Sequence, residues 1–363
     1  MADTHTTPLP ARERALVTGA TGLLGSNIVR LLLKQGQEVV ALVRDLDRAR
    51  TLLPADPRLR LVAGDVTEPD SYRSLFAGVD EVFHTAAYFR EYFQDPSLTE
   101  PLERVNVAAT RLVLGGAAEA GVPVFVHTSS INTLALRGPQ QPADEATPPP
   151  EKYARLQVSE CYPSSKVRAE RAVDDMVRSG RTGSTRVAVV LPGWMWGPGD
   201  AGPTSAGRLF LGVAKGAVKA VPRLSNYVVD ARDVAFACVA AARVGRHDRY
   251  VVAGVKRSVP GLTGAVAAET GVRAPRAVPA GLAVAAASLM ELQARLGGGE
   301  PTATRAGVRV LREGEDRHIT SGLAERDLGV EFRSVADTVA ATGAWYRQQG
   351  TLPAGPVRAA TVG

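Results

Sequence analysis

ALVTGATGLLGSNIVRLLL, residues 15–33, decides how the rest of the chain is read. It opens with a short apolar run that ends in glycine, and from Ser26 the apolar positions recur with a helical period. Between the two, Gly19, Gly22 and Gly25 stand three residues apart. With 36 glycines in 363 residues, a triplet of this spacing is unremarkable by itself. Its place gives it meaning: it follows the first strand and opens the first helix. There, backbone without side chains lets a pyrophosphate approach a helix N-terminus whose free N–H groups point outward. The residues expected around a bound dinucleotide are Gly19, Thr21, Gly22, Leu23, Leu24 and Gly25. The bland alternative is a tight strand–helix turn with no ligand.

Outward from this loop the first two thirds of the chain alternate strand and helix. EVVALVR (38–44), RLVAGD (60–65), EVFHTAA (81–87), VFVHTSS (124–130) and RVAVVLPG (186–193) are apolar runs that do not alternate with polar residues. A helix over about 100–120 stops at Gly121-Val122-Pro123. Apolar strands separated by helices predict an α/β fold with a doubly wound parallel sheet covered on both faces. Arg44 stands at the tip of the second strand, with Arg48 and Arg50 nearby. A planar cation there favours the 2′-phosphate of NADP over the ribose hydroxyl of NAD, while Asp45 is able to meet the ribose or repel the phosphate.

After about Pro198 the rhythm breaks down. YVVDARDVAFACVAAA (227–242) reads as opening a helix with an aspartate near its start, RYVVAG (249–254) as a further strand, and several helices follow to about Gln349. The expected division is a tail over 1–12 and a dinucleotide-binding domain over 13–200, to which 225–255 returns. A smaller, mostly helical substrate lobe over 201–224 and 256–349 and a tail over 350–363 complete it. The Pro-rich stretch GPQQPADEATPPP (138–150) reads as a surface loop beside an active site.

Composition bounds the rest. Apolar residues at 45% and charged residues at 22% are ordinary for a globular chain. The net charge of +6 comes from scattered arginines without interleaved aromatics, which argues against a nucleic-acid partner. Cys161 and Cys238 form no metal-ligand or disulfide pattern, so a reducing, cytoplasmic setting is expected and no metal. MADTHTTPLPARER at the start has no signal-peptide core. The apolar stretch 278–290 is too short to span a bilayer and suits a packed helix, so no membrane partner is expected.

One further stretch carries chemistry. In CYPSSK (161–166), Tyr162 and Lys166 are four residues apart and stack on one face of a helix. Of 43 basic residues only six are lysines, so a lysine at this spacing asks for a reason beyond a chance surface pair. A phenol and an ammonium side by side are able to do proton chemistry.

TGATGLLG, the GDV at 64–66, HTAA at 84–87, VNVAAT at 105–110, HTSS at 127–130, YPSSK at 162–166 and LPGWMWGPGD at 191–200 occur in order. Together they resemble the extended short-chain dehydrogenases/reductases, in the dihydroflavonol-reductase-like branch of the NAD-dependent epimerase/dehydratase family, over roughly 14–328. The resemblance implies a Rossmann domain and an NAD(P)-dependent oxidoreductase acting on CH–OH groups, with a serine, a tyrosine and a lysine around the nicotinamide. Hydride reaching a carbonyl carbon leaves charge on oxygen, which needs a proton and a hydrogen-bond donor. A cation one helical turn from a tyrosine stabilises its phenolate, and a compact ammonium also reaches the nicotinamide ribose where a guanidinium fits poorly.

By the same resemblance the donor is Ser130, with Ser129 as the fallback, and Asn106 organises a backbone kink or a water near the lysine. Asp65 and Val66 flank the adenine. Ala86 and Ala87 floor the cofactor, and Pro192, Gly193 and Trp194 line the nicotinamide side. His84 reads as a packed or cofactor-side residue rather than a base. A homodimer through helices on one sheet face is implied by the family alone.

Tyr88-Phe89-Arg90-Glu91-Tyr92-Phe93 and Trp194-Met195-Trp196 are aromatic clusters in a chain with 5% aromatics. Either they face a flat, apolar carbonyl or alcohol substrate, or they pack the lobes together. Two other functions stay open. One is a nucleotide-sugar epimerase; dehydration is disfavoured because Ser130 is followed by Ile131 and Asn132 rather than an acidic pair. The other is a non-catalytic NADP sensor, against which the intact Tyr162–Lys166 pair counts.

Overall fold

The computed structural model describes residues 12–89, 98–154, 161–246, 248–297 and 304–353. Residues 1–11 and 354–363 of the expected tails, and Arg90 to Phe93 of the first aromatic cluster, lie outside them. The first half runs β1 (Arg14–Thr18), α1 (Leu23–Lys34), β2 (Glu38–Val43), α2 (Leu46–Leu52), β3 (Leu59–Ala63), β4 (Glu81–His84), α3 (Thr99–Leu102), α4 (Ala109–Glu119), β5 (Val124–Thr128), α5 (Cys161–Arg178) and β6 (Arg186–Pro192). There follow β7 (Trp194–Trp196), α6 (Ser205–Ala214), β8 (Ala220–Pro222), β9 (Ser225–Asp230), α7 (Ala231–Arg243), β10 (Arg249–Val252) and β11 (Val255–Ser258). The last elements are α8 (Val259–Thr270), β12 (Arg276–Val278), α9 (Ala280–Gly297), α10 (Arg305–Asp316), α11 (Gly322–Leu328) and α12 (Val335–Gln348).

The main sheet has seven strands in the order β3-β2-β1-β4-β5-β6-β10, every pair parallel. β1, β2, β4, β5 and β6 bury both faces because their sequences are nearly continuous in apolar residues, whereas the edge strand β3 is only partly covered. On one face Val17, Phe83 and Val126 pack against Ile28 and Leu32 of α1 and Phe236 of α7. On the other, Leu16, Val82 and Phe125 pack against Val113 of α4 and Val173 and Met176 of α5. Each such fully buried side chain is worth about 1.5–3 kcal/mol. The order reverses between β1 and β4, and the crevice at the C-terminal ends of these two strands is where such sheets hold ligands.

The structure corrects the sequence reading at two places and adds detail at a third. Tyr227 to Asp230 belong to β9, not to the helix that follows; an apolar run merging into an apolar helix hides the boundary. Asp230 ends the strand and caps α7, its Oδ1 accepting from Arg232 N (2.8 Å). The helix read over 100–120 is present and runs unbroken from Thr99 to Glu119, but it is not α-helical throughout: a π-helical stretch Glu103–Ala108 lies between α3 and α4. And the stretch 278–290 packs by one side only: Ala287 is fully buried, yet Leu282 and Leu289 are 62% and 56% exposed. No helix among the described residues is long and apolar enough to cross a membrane.

β7, β9 and β11 form a separate three-stranded sheet, and Trp196, Phe210, Leu262, Val266, Trp345 and Tyr346 make a second core beside it.

Candidate active site

The glycine loop closes the mouth of the crevice. Gly19 has φ +68°, and a β-carbon there would lie 2.7 Å from Ala86 N; one at Gly25 would lie 2.3 Å from Gly19 O. Both positions therefore require glycine. Gly22 caps α1 without any side-chain bond, and Ser26 N is the first to find a carbonyl in this turn, at Gly22 (2.9 Å). The N–H groups of Leu23, Leu24 and Gly25 are thus left without a helical acceptor, at the positive end of the helix. Bare backbone and free N–H groups of this kind suit a dinucleotide pyrophosphate. Thr85 Oγ1 donates to Thr18 O (2.7 Å), joining the ends of β1 and β4 beneath the loop.

At the tip of β2, Arg44 is exposed and makes no hydrogen bond or ion pair among the described residues. Asp45 is committed elsewhere: it caps α2, its Oδ1 accepting from Arg48 N (2.9 Å). Burial raises the Asp65 carboxyl, but hydrogen bonds from Thr67 N and Oγ1 (both 2.8 Å) and the charges of Arg44 and Arg104 hold it below its ordinary value. Val66 beside it is buried, Ala86 is half-buried and Ala87 exposed.

α5 turns a polar stripe inward. Tyr162 and Lys166 are both buried, and Lys166 Nζ donates to Thr128 O (2.9 Å), at the end of β5. Burial pulls this ammonium from its ordinary 10.5 down to about 8, against the opposing charge of Glu170 one turn further on. The Tyr162 ring meets Phe89 edge-on, centroids 4.8 Å apart, in an apolar cluster with Cys161, Leu102, Tyr88 and Leu98.

Asn106 lies in the π-helical stretch, where the widened turn departs from the α-helical bond pattern. Its Oδ1 accepts from Tyr88 N (2.7 Å), and its Nδ2 donates to Tyr88 O (3.1 Å) and Ser165 Oγ (2.9 Å). Ser165 in turn donates to Tyr162 O (2.8 Å). Asn106 thus ties the segment after β4 to the backbone of the tyrosine, and its side-chain bonds run to Tyr88 and Ser165 rather than to Lys166.

The two serines after β5 are separated by their partners. Ser129 Oγ donates to Glu170 Oε2 (2.5 Å). Ser130 Oγ accepts from Asn132 N (3.2 Å), and among the described residues it donates to nothing. His84 sits between Thr18 Oγ1 (2.9 Å) and Thr110 Oγ1 (3.1 Å). Burial, aided by the Lys166 charge, lowers it to about 3, so it is neutral at ordinary pH and serves as a clamp across the strands. His127 stacks on it, also buried and lowered by burial and by Lys166, and its ring nitrogens have no partner among the described residues.

Of the second aromatic cluster, only part is open. Trp196 is 1% exposed and packs with Phe210 and Tyr346, so it does not face a substrate. Met195 packs against the main core. Trp194 is half-buried, Nε1 donating to Ser205 Oγ (3.0 Å), and Gly193 and Pro192 precede it at the end of β6. Sequence reasoning passed over Glu170. Its signal was present, because Tyr162, Lys166 and Glu170 repeat at intervals of four, but a glutamate in a charged helix reads as solvated.

Residues 15–254 match the model of the NAD dependent epimerase/dehydratase family. A protein of Synechocystis sp. described as a putative dihydroflavonol 4-reductase is 30% identical over 342 residues, 92% of this chain and 94% of that one. Sterol demethylase protein B of Methylococcus capsulatus is 30% identical over 344 residues, 93% and 99% of the two chains. The crystal structure of gox2253 superposes with a TM-score of 0.74 at 31% identity, covering 94% of this chain and all of that one.

Proposed function

The chain belongs to the NAD dependent epimerase/dehydratase family, and from that premise we propose that it uses NADPH to reduce a ketone or aldehyde of a small apolar or aromatic molecule, or oxidises the matching alcohol. It is an NAD(P)-dependent oxidoreductase of the extended short-chain type. The observation that carries the proposal is the burial of Tyr162 and Lys166 on one face of α5, Tyr162 in an apolar cluster and Lys166 on the carbonyl of Thr128, two residues before a serine whose hydroxyl donates to nothing among the described residues.

In this reading Gly19, Thr21, Gly22, Leu23, Leu24 and Gly25 hold the pyrophosphate, Arg44 meets the 2′-phosphate, and Asp65 and Val66 flank the adenine. Ala86 and Ala87 floor the cofactor, and Pro192, Gly193 and Trp194 line its reactive end. Bound cofactor supplies a hydride to the carbonyl carbon or takes one from the alcohol. Ser130 donates to the substrate oxygen as charge develops there. Tyr162 gives its proton to that oxygen, and Lys166, cationic below about pH 8, favours the phenolate left behind. Asn106 positions Tyr162 through Ser165. Phe89 and Tyr88 offer an apolar or flat substrate more than they offer a sugar, which favours reduction over epimerisation.

The test is a panel of apolar and aromatic carbonyls read by NADPH consumption, with nucleotide sugars alongside. Turnover of the carbonyls supports the proposal. Turnover of sugars alone with retained cofactor points to the epimerase, and tight dinucleotide binding without turnover to a sensor. Arg44→Ala is expected to weaken NADPH about 10-fold or more while sparing NADH. Equal losses for the two would overturn the NADP assignment.

A further inference from the structure

We propose that Glu170 is a positioning residue for this reaction, which spends the hydroxyl of Ser129, leaves Ser130 as the substrate-facing donor, and compensates the buried charge of Lys166. The inference rests on the reductase reading above and concerns a residue outside its tyrosine, lysine and serine.

Geometry sets the case. Residues 162, 166 and 170 follow at intervals of four on α5 and so fall along one stripe of the helix. At the end of that stripe Glu170 is 8% exposed, and its carboxylate is held from two other elements. Oε2 accepts a hydrogen bond from Ser129 Oγ, just past β5 (2.5 Å), and Oε1 pairs with Arg249 of β10 (2.7 Å). Arg249 is itself fixed, Nη1 on the carbonyls of Glu145 (2.9 Å) and Thr147 (3.0 Å) and Nη2 on Thr133 Oγ1 (3.3 Å). A buried carboxylate persists only when paired in this way.

The consequence for the serines is one of proton supply. Ser129 and Ser130 are adjacent and chemically alike, and each hydroxyl has one proton to donate. Ser129 commits its proton to the hydrogen bond with Glu170. Ser130 keeps its own, because among the described residues its Oγ acts only as an acceptor, from Asn132 N.

The consequence for Lys166 is electrostatic. From β4 and β5 it faces His84 and His127, both kept neutral by burial, and the carbonyl of Thr128. On its own helix it faces the Tyr162 phenol and Glu170, whose negative charge opposes the desolvation of the ammonium. Glu170 pairs with Arg249, whose charge also acts on the carboxyls of Asp174, a turn further along α5, and of Glu145, whose Oε1 is tied to Val251 N (2.8 Å).

The experiment follows the lysine directly. The chain has six lysines, so ε-15N-lysine spectra of the NADP+-loaded protein resolve Lys166, assigned by its loss in Lys166→Arg. In Glu170→Gln, which keeps the shape and removes the charge, its titration midpoint falls by about one pH unit. The alkaline break of the reduction profile moves down with it, and Glu170→Asp restores both toward the parent. Among serines, Ser130→Ala loses about 10²- to 10³-fold in kcat, and the loss in Ser129→Ala is smaller. A midpoint that stays put in Glu170→Gln overturns the proposal, as does a larger loss from Ser129→Ala than from Ser130→Ala. The serine pair decides the matter should Glu170→Gln fail to fold. Should the parent protein turn over no carbonyl or alcohol, the reductase reading fails, while the lysine titration still tests Glu170.

Discussion

α5 and α9 are both 18 residues long and are built from opposite material. α5, CYPSSKVRAERAVDDMVR, is rich in charge, and yet it buries Tyr162, Ser164, Ser165, Lys166 and Glu170. α9, AGLAVAAASLMELQARLG, is nearly all apolar, and yet it leaves Leu282, Leu289 and Met290 exposed. Hydropathy says what a helix is made of; its neighbours decide which face is covered. α5 lies against the C-terminal half of the main sheet and the π-helical stretch, where Asn106, Thr128, Ser129 and Arg249 wait as partners for its polar groups. Among the described residues α9 packs mainly on α10 and β8, and one stripe around Ala287 seats it against Leu224 and Val308. The residues proposed to carry the chemistry lie where polar groups are buried with partners, not where the chain is most apolar.

The contrast is open to attack from the α5 side first. Tyr162→Phe removes a hydroxyl and no volume, so it should cost about 10²- to 10⁴-fold in kcat/KM and leave NADPH binding nearly unchanged. Strong residual turnover would remove the chemical meaning of the inward stripe. Ser165→Val is next in size. Ser165 is fully buried, accepting from Asn106 and donating to Tyr162 O, and its loss leaves the Asn106 amide short of a partner. The expected cost is about 1–3 kcal/mol in denaturant unfolding, together with a lower kcat. A neutral result would mean that the bond chain from the π-helical stretch to Tyr162 carries no energy.

What the sequence made legible divides along the same line. The strands of the main sheet showed themselves because burial on both faces demands unbroken apolar runs, and the glycine loop because only glycine survives where Gly25 meets Gly19 O. The Tyr162–Lys166 spacing was legible because a helix repeats every three to four residues. Features decided by partners were not. Nothing in ERVNVA marks a π-helix, since six residues are too few for a widened apolar period to show. Glu170 and Arg249 are 79 residues apart, and only the addition of β10 to the sheet edge brings them together. Whether Trp196 faces a substrate or packs the lobes was open in the sequence, and only the second core around it decides for packing.

Beneath α5 the histidine pair makes a smaller prediction, one with no counterpart near α9. The folded protein holds His84 at about 3, below the ~6.5 of an exposed imidazole. As pH falls through that interval the unfolded chain binds the proton and the folded one does not. Stability present above about pH 6.5 is therefore lost toward pH 3, at about 1.4 kcal/mol per pH unit for each such group. His127 is shifted in the same direction and adds to the slope. Lys166, protonated in both states below pH 8, contributes nothing in this window. Urea midpoints at pH 7, 6 and 5 measure the effect, and His84→Gln should flatten the slope by about one proton. An unchanged slope would mean that the clamp between Thr18 and Thr110 opens on acidification.

The smallest effect is expected on α9 and bears hardest on the contrast. Leu289 is 56% exposed, so Leu289→Gln should change unfolding free energy by no more than about 0.5 kcal/mol and leave kcat and KM alone. Its neighbour two residues back, Ala287, is fully buried, and Ala287→Leu forces extra volume between Leu224 and Val308. The pair of substitutions therefore separates the two sides of one apolar helix. If Leu289→Gln cost as much as Ala287→Leu, the outer side of α9 would be covered in solution. The difference between a polar helix covered by its partners and an apolar one with an exposed side would then be only apparent.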